Sequence, residues 1–159
     1  MNIQIITIGK LKEKYWQDAI KEYSKRLSRF ASLEILELKE SLLPNNASKA
    51  DEEKVKIEEG REILKAIKDG TYVITLEILG KQLSSEELSS KLETLGIEGK
   101  SNIAFVIGGS LGLSKEVSDR ANFKLSFSKM TFPHQMMRVV LLEQIYRSFK
   151  IIHNETYHK

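Results

Sequence analysis

Residues 103–112, Ile-Ala-Phe-Val-Ile-Gly-Gly-Ser-Leu-Gly, run an apolar strand straight into three glycines. Gly108 and Gly109 have no Cβ and are free to take positive φ, so the backbone can turn sharply and a small molecule can approach its N–H and C=O groups. The phosphate chemistries that glycine turns often serve are not spelled out here. A dinucleotide fingerprint ending at Gly112 needs glycine where Ile107 stands, and the full phosphate-loop pattern G-x-x-x-x-G-K-S/T appears nowhere. The turn therefore points to a non-phosphate ligand, with a plain strand-to-helix turn as the competing reading.

Other residues offer polar chemistry. Arg138, Glu143 and Arg147 share one helical pattern and could stabilise developing negative charge, grip a phosphate or pair with one another. Tyr157 and His158 stand at the very end of the chain, where most proteins fray. The histidines, at 134, 153 and 158, are not spaced as helical metal ligands, and no metal is expected. His134 follows Pro133 and reads as the shaping residue of a helix start. The absence of cysteine excludes disulfides, thiolate metal sites and a thiol nucleophile.

The elements that must position these residues alternate in type. Strand patterns at 3–8, 33–38, 72–78, 103–107 and 123–127 are separated by helical patterns at 12–29, 48–67, 85–95, 114–121 and 134–152. That order predicts an α/β fold with a mostly parallel sheet and helices on both faces. Ser84 and Glu87 form a capping box before Leu88, Leu92 and Leu95, Gly96 is expected to stop that helix, and Ser114 caps the next. Residues 42–54 are polar and contain Pro-Asn-Asn, which predicts a mobile surface connector. Met136, Met137, Val139, Val140, Leu141, Leu142 and Ile145 put apolar groups all round the last helix, so burial on more than one side is expected.

A chain of 159 residues suits a single domain spanning residues 1–159. No apolar run approaches a membrane span and the amino end lacks signal-peptide features, so a cytoplasmic location is expected. The net charge of +3 permits an acidic partner such as RNA. Lys10, Lys12, Lys14, Lys21, Lys25 and Arg29 make one basic stripe, equally readable as a solvated helix face.

Taken together, FVIGGSLGLS, LSFSKMTFPHQMMRVVLLEQIYR and the terminal YHK resemble the ribosomal RNA large-subunit methyltransferase H family, over the whole chain and most specifically from Phe105 onward. The resemblance implies a SPOUT-class α/β fold with a C-terminal trefoil knot, which connection rules alone would argue against. It implies a homodimeric enzyme that transfers a methyl group from S-adenosylmethionine to N3 of a pseudouridine in helix 69 of the large-subunit RNA, on the assembled ribosome. By the same resemblance the cofactor contacts fall on Leu76, on Gly108 and Gly109, and on Phe127, Ser128, Lys129, Met130, Thr131 and Phe132. Tyr157 and His158 would reach the cofactor of the other subunit, His158 to accept or relay the N3 proton or contact phosphate, and Tyr157 to stack on the base or hydrogen-bond. Many family members have proline before the terminal Tyr-His; Thr156 stands here, which predicts a less preorganised tail. Two other readings are a knotted methyltransferase acting on transfer RNA or a ribose hydroxyl, and a non-enzymatic, dimeric, ribosome-associated module.

Overall fold

A computed structural model describes residues Met1–Lys159. Strands β1 (Asn2–Ile8), β2 (Ser32–Leu38), β3 (Tyr72–Gln82), β4 (Asn102–Ile107) and β5 (Phe123–Ser126) form one sheet in the order β2-β1-β4-β3-β5. Every pairing in it is parallel. The intervening helices are α1 (Lys14–Leu27), α2 (Lys49–Ala66), α3 (Ser85–Ile97), α4 (Lys115–Arg120) and α5 (His134–Ile152).

Successive strand residues point to opposite faces, so strands covered on both sides must be apolar at every position. In β4, Ile103, Phe105 and Ile107 enter one core with α1, α3 and α5, while Ala104 and Val106 enter a second with Ile63 of α2 and Val117 of α4. Both capping boxes close: Ser84 and Glu87 at α3, and Ser48 and Asp51 at α2. Ser114 accepts from the N–H of Val117 at the start of α4.

Several boundaries differ from the sequence expectation. The second capping box converts residues 49–54 of the polar connector into the opening turns of α2, and only residues 42–48 remain a loop. Gly96 lies inside α3, which turns back instead at Gly99, whose φ of +76° is left-handed. Strand β3 continues beyond Ile78 to Gln82, with its register against β5 broken between Leu76 and Lys81. Gly80 allows this irregularity, because a Cβ there would lie 2.7 Å from the Lys124 carbonyl oxygen. The bulge leaves Leu79 in solvent and brings Glu77 and Ile78 to the rim of a cleft.

Candidate active site

Ligands of open parallel sheets collect outside the carboxyl ends of the strands. Here the irregular middle of β3, the ends of β4 and β5 and the first turn of α5 enclose a cleft of about 370 Å³, within the range of small-molecule sites. Leu76, Glu77 and Ile78 form one wall, the turn from Ile107 to Leu113 a second, and Phe127, Ser128, Met130, Thr131 and Phe132 a third, with His134 and Met137 at the base. Of the residues expected to hold a ligand, all but Lys129 line this one cleft; Lys129 is exposed.

The glycine turn is bare for a reason other than the one read from the sequence. Positive φ occurs at Gly112, at +83°, and at neither Gly108 nor Gly109. Those two are needed for close approach: a Cβ on Gly108 would lie 2.9 Å from the Gly112 carbonyl carbon, and one on Gly109 would lie 3.1 Å from Glu59 Oε2. The Gly112 N–H donates to the Gly109 carbonyl at 3.1 Å and closes the turn. Opposite it, the loop after β5 is held by Ser128, whose carbonyl accepts from Ser126 Oγ at 3.1 Å and whose Oγ accepts from the Met130 N–H at 3.0 Å.

Glu77 is the one carboxylate in the cleft wall. Thr75 Oγ1 donates to one of its oxygens at 2.6 Å and Ser118 Oγ to the other at 2.8 Å. Each oxygen therefore keeps acceptor capacity for a ligand. Behind the turn, Glu59 is buried and its Oε1 accepts from the Ser41 N–H at 3.2 Å. Burial pushes the Glu59 carboxyl above its ordinary range. Burial, and then the positive charge of Arg138, hold His134 below the usual imidazole value. Sequence reasoning passed over Glu77 and Glu59; the available signal for Glu77 was one acid interrupting an apolar strand.

Arg138 is not in the cleft wall. It is 2% exposed and ties the end of β1 to β2, donating to Glu37 at 2.7 Å and to the carbonyls of Ile8 and Gly9 at 2.9 Å each. Its neighbours on α5 face the tail instead. Arg147 pairs with Glu143 at 2.7 Å, and Glu143 also accepts from the Tyr157 hydroxyl at 2.9 Å. Burial, and then this hydrogen bond, raise the Tyr157 pKa, so the phenol stays protonated and acts as a donor. The His158 ring lies between Glu86, 2.7 Å from Nε2, and Arg147, 3.3 Å from Nδ1. The His158 contact in turn draws the Glu86 carboxyl down to about 2. Within one chain, then, Tyr157 rests on α5 through Glu143, and His158 on α3 and α5 through Glu86 and Arg147, both outside the cleft.

Just before Thr156, the turn into the tail is made by Asn154, at φ +52°, and by Glu155, which binds Arg29 at 2.8 Å and also pairs with Lys150. The basic stripe is correspondingly broken: Arg29 is committed to Glu155 and Lys14 to Asp18.

A family model described as predicted SPOUT methyltransferase matches residues 1–158. The chain belongs to the SPOUT methyltransferase family. It is 60% identical over 100% of both chains to the ribosomal RNA large subunit methyltransferase H of Clostridium beijerinckii, and 63% identical, again over 100% of both, to the protein of that name from Clostridium novyi. A solved structure of a probable methylase family protein from Haemophilus influenzae superposes with a TM-score of 0.56 at 14% identity, covering 99% of this chain and 70% of that one, and so matches in fold.

As a SPOUT methyltransferase it is an enzyme that uses S-adenosylmethionine. The residues present fit that cofactor. Phe127, Phe132, Leu76 and Leu113 offer apolar faces to an adenine ring, the turn around Gly108 exposes backbone hydrogen-bonding groups, and Glu77 is a lone acid facing a cofactor that bears a positive sulfonium. No group of three or more His, Cys, Asp or Glu side chains is arranged to hold a metal ion, and no helix is long and apolar enough to cross a membrane.

Proposed function

We propose that this chain is a cytoplasmic ribosomal RNA methyltransferase, acting as one domain over residues 1–159, that methylates N3 of a pseudouridine in helix 69 of the large subunit and works as a homodimer. The observation that carries the reading is the cleft itself, in which a bare glycine turn and apolar walls meet at the carboxyl ends of β4 and β5 and the irregular middle of β3. The identity of about 60% over the full length of proteins named for ribosomal RNA methylation supports the substrate class. The trefoil knot belongs to the same reading; its support is the match to the SPOUT methyltransferase family over residues 1–158.

Bound in this cleft, S-adenosylmethionine supplies an electrophilic methyl group. The protein's tasks are to hold that donor, exclude water and help the target nitrogen lose its proton. Leu76, Gly108, Gly109 and the segment from Phe127 to Phe132 hold and shield the donor, Lys129 marking the solvent side of that segment. Glu77 would offer its open acceptor positions to hydroxyl groups of the ribose. Arg138 acts as a positioning residue, because its three bonds fix the ends of β1 and β2 beneath the turn. In this reading His158, delivered by the neighbouring subunit, accepts or relays the N3 proton, and Tyr157 donates a hydrogen bond or stacks on the base.

The tail lies outside its own chain's cleft, and Met136, Val139 and Val140 of α5 remain half-exposed. Both facts favour a second copy that covers α5 and brings each tail to the neighbouring cleft. Incubating the protein with ribosomes that lack the modification should yield one methyl group on helix 69, read by mass spectrometry of the digested RNA. A methyl group found only on transfer RNA or on a ribose oxygen would replace this substrate assignment, and no transfer to any RNA would remove it.

A further inference from the structure

The cofactor cleft does not end at Phe127. Leu125 and Phe127 also line a shallower hollow with Leu83 and Gln144, and Leu83 in turn borders a third hollow holding Lys81, Lys91 and Phe123. The three hollows thus adjoin in series through shared lining residues, a stepped trough that starts at the cofactor cleft and follows the β5 edge of the sheet. Its far end sets two lysines, Lys81 and Lys91, beside the acids Glu86 and Glu87. Neither Lys81 nor Lys91 belongs to any of the protein's ion pairs. The two acids on that rim are already engaged, Glu86 with His158 and Glu87 with the Ser84 N–H of the α3 cap.

Lys91 lies 4.0 Å from the centre of the Phe123 ring, so its ammonium is held over an apolar face rather than swinging free. Burial, and then the nearby charge of Lys81, make the Lys91 proton easier to lose, while the charge of Glu98 opposes that shift. A phosphate beside the two ammonium groups, neither of which has an ion-pair partner, opposes the same shift.

We propose that Lys81 and Lys91 grip the phosphate backbone of the substrate RNA, which lies in this trough with its target base turned into the cofactor cleft. The inference rests on the RNA-methyltransferase reading and adds the path of the strand. Chemistry on a base requires that it leave its stack, and the adjoining phosphates must then follow a channel leading away from the reacting atom. The trough is such a channel, and His158 stands on its rim through Glu86. The stripe on α1 does not meet the cleft and is partly paired within the chain.

The test is binding of a protein-free, fluorescein-labelled transcript of the helix 69 hairpin over a range of KCl concentrations. The Lys81→Ala/Lys91→Ala double variant should bind about tenfold more weakly, and its plot of log K against log[KCl] should be shallower by about 1–1.5, near 0.7 for each single-strand phosphate that is no longer neutralised. Its affinity for S-adenosylhomocysteine should match that of the unaltered protein, which shows the fold intact, and the Lys81→Arg/Lys91→Arg variant should restore the salt dependence. The Lys21→Ala/Lys25→Ala variant should keep the original slope. An unchanged slope in the first double variant, or an equal loss in the α1 variant, overturns the trough even where ribosomes are still methylated. Absence of methylation by the unaltered protein is a separate result that overturns the enzymatic reading.

Discussion

At Gly108 the backbone of the turn folds back on itself so closely that no side chain fits, which makes the position a direct probe of the cleft. Gly108→Val should lower S-adenosylhomocysteine affinity by about a hundredfold or more in calorimetry, because overpacking by even small groups costs ~1–3 kcal/mol and here displaces the binding surface itself. Normal affinity would relocate the cofactor. Glu77→Gln keeps the size of the side chain and removes its charge; a tenfold loss is expected, matching ~1.4 kcal/mol for one charge-assisted hydrogen bond. If the ribose hydroxyls are the donors, 5′-methylthioadenosine should suffer the same loss as S-adenosylhomocysteine; a loss confined to the latter would assign Glu77 to the amino acid end. His134 makes a prediction in pH. Its folded pKa lies below the usual value because of burial and Arg138, so the unfolded chain binds the proton more readily. The stability at stake is intact above about pH 6.5 and is lost as pH falls through that value towards the folded one. His134→Gln should therefore flatten the decline in melting temperature between about pH 7 and pH 5, and an unchanged acid limb would clear His134 of it. The glycines were legible in the sequence, since a strand ending in Gly-Gly announces a special turn. The place of Arg138 was not: its carbonyl partners lie 129 and 130 residues away along the chain, and only the folded sheet brings them under one guanidinium.

Among the elements, those whose signals are local were readable and those set by distant packing were not. The strands buried on both faces show as continuous apolar runs, and the Ser84–Glu87 box marks the start of α3 within four residues. The extension of β3 was hidden because its bulge exposes Leu79, which breaks any alternation, and because the reason for Gly80 is the β5 backbone against it. The tail was legible only through family resemblance, for nothing in Thr-Tyr-His-Lys reveals that Glu143, Arg147 and Glu86 will receive it. That reception yields a prediction about the element as a unit. Removing Tyr157 to Lys159 deletes interactions at the surface of α3 and α5 and none in the core, so the melting temperature and S-adenosylhomocysteine affinity should hold while methyl transfer falls below about a hundredth of the original, as expected when a proton-handling group is removed. Retained turnover would make the tail a bystander. Thr156→Pro should leave the rate unchanged or raise it, provided the left-handed Asn154 and the anchored Glu155 already hold the turn.

The whole molecule poses the question of which cleft each tail serves. In one chain the tail rests beside α5 and leaves its own cleft uncovered, and α5 keeps half-exposed apolar groups that a second copy would bury. If the complete site needs a cleft from one subunit and a tail from the other, two differently disabled chains must rescue each other. A chain lacking Tyr157 to Lys159 retains its cleft, and a Gly108→Val chain retains its tail; each alone should be inactive. Mixed at equal amounts and allowed to exchange, half of the dimers pair one of each, and each such dimer has one competent site of two. Activity should then return to about a quarter of the original, the value set by random pairing in a two-fold dimer. Sedimentation should show a species of twice the 18.2 kDa chain in every sample. No recovery from a mixture proven to contain hybrid dimers would mean that each tail folds back over the cleft of its own chain, and the shared active site would have to be abandoned while the cofactor cleft stood.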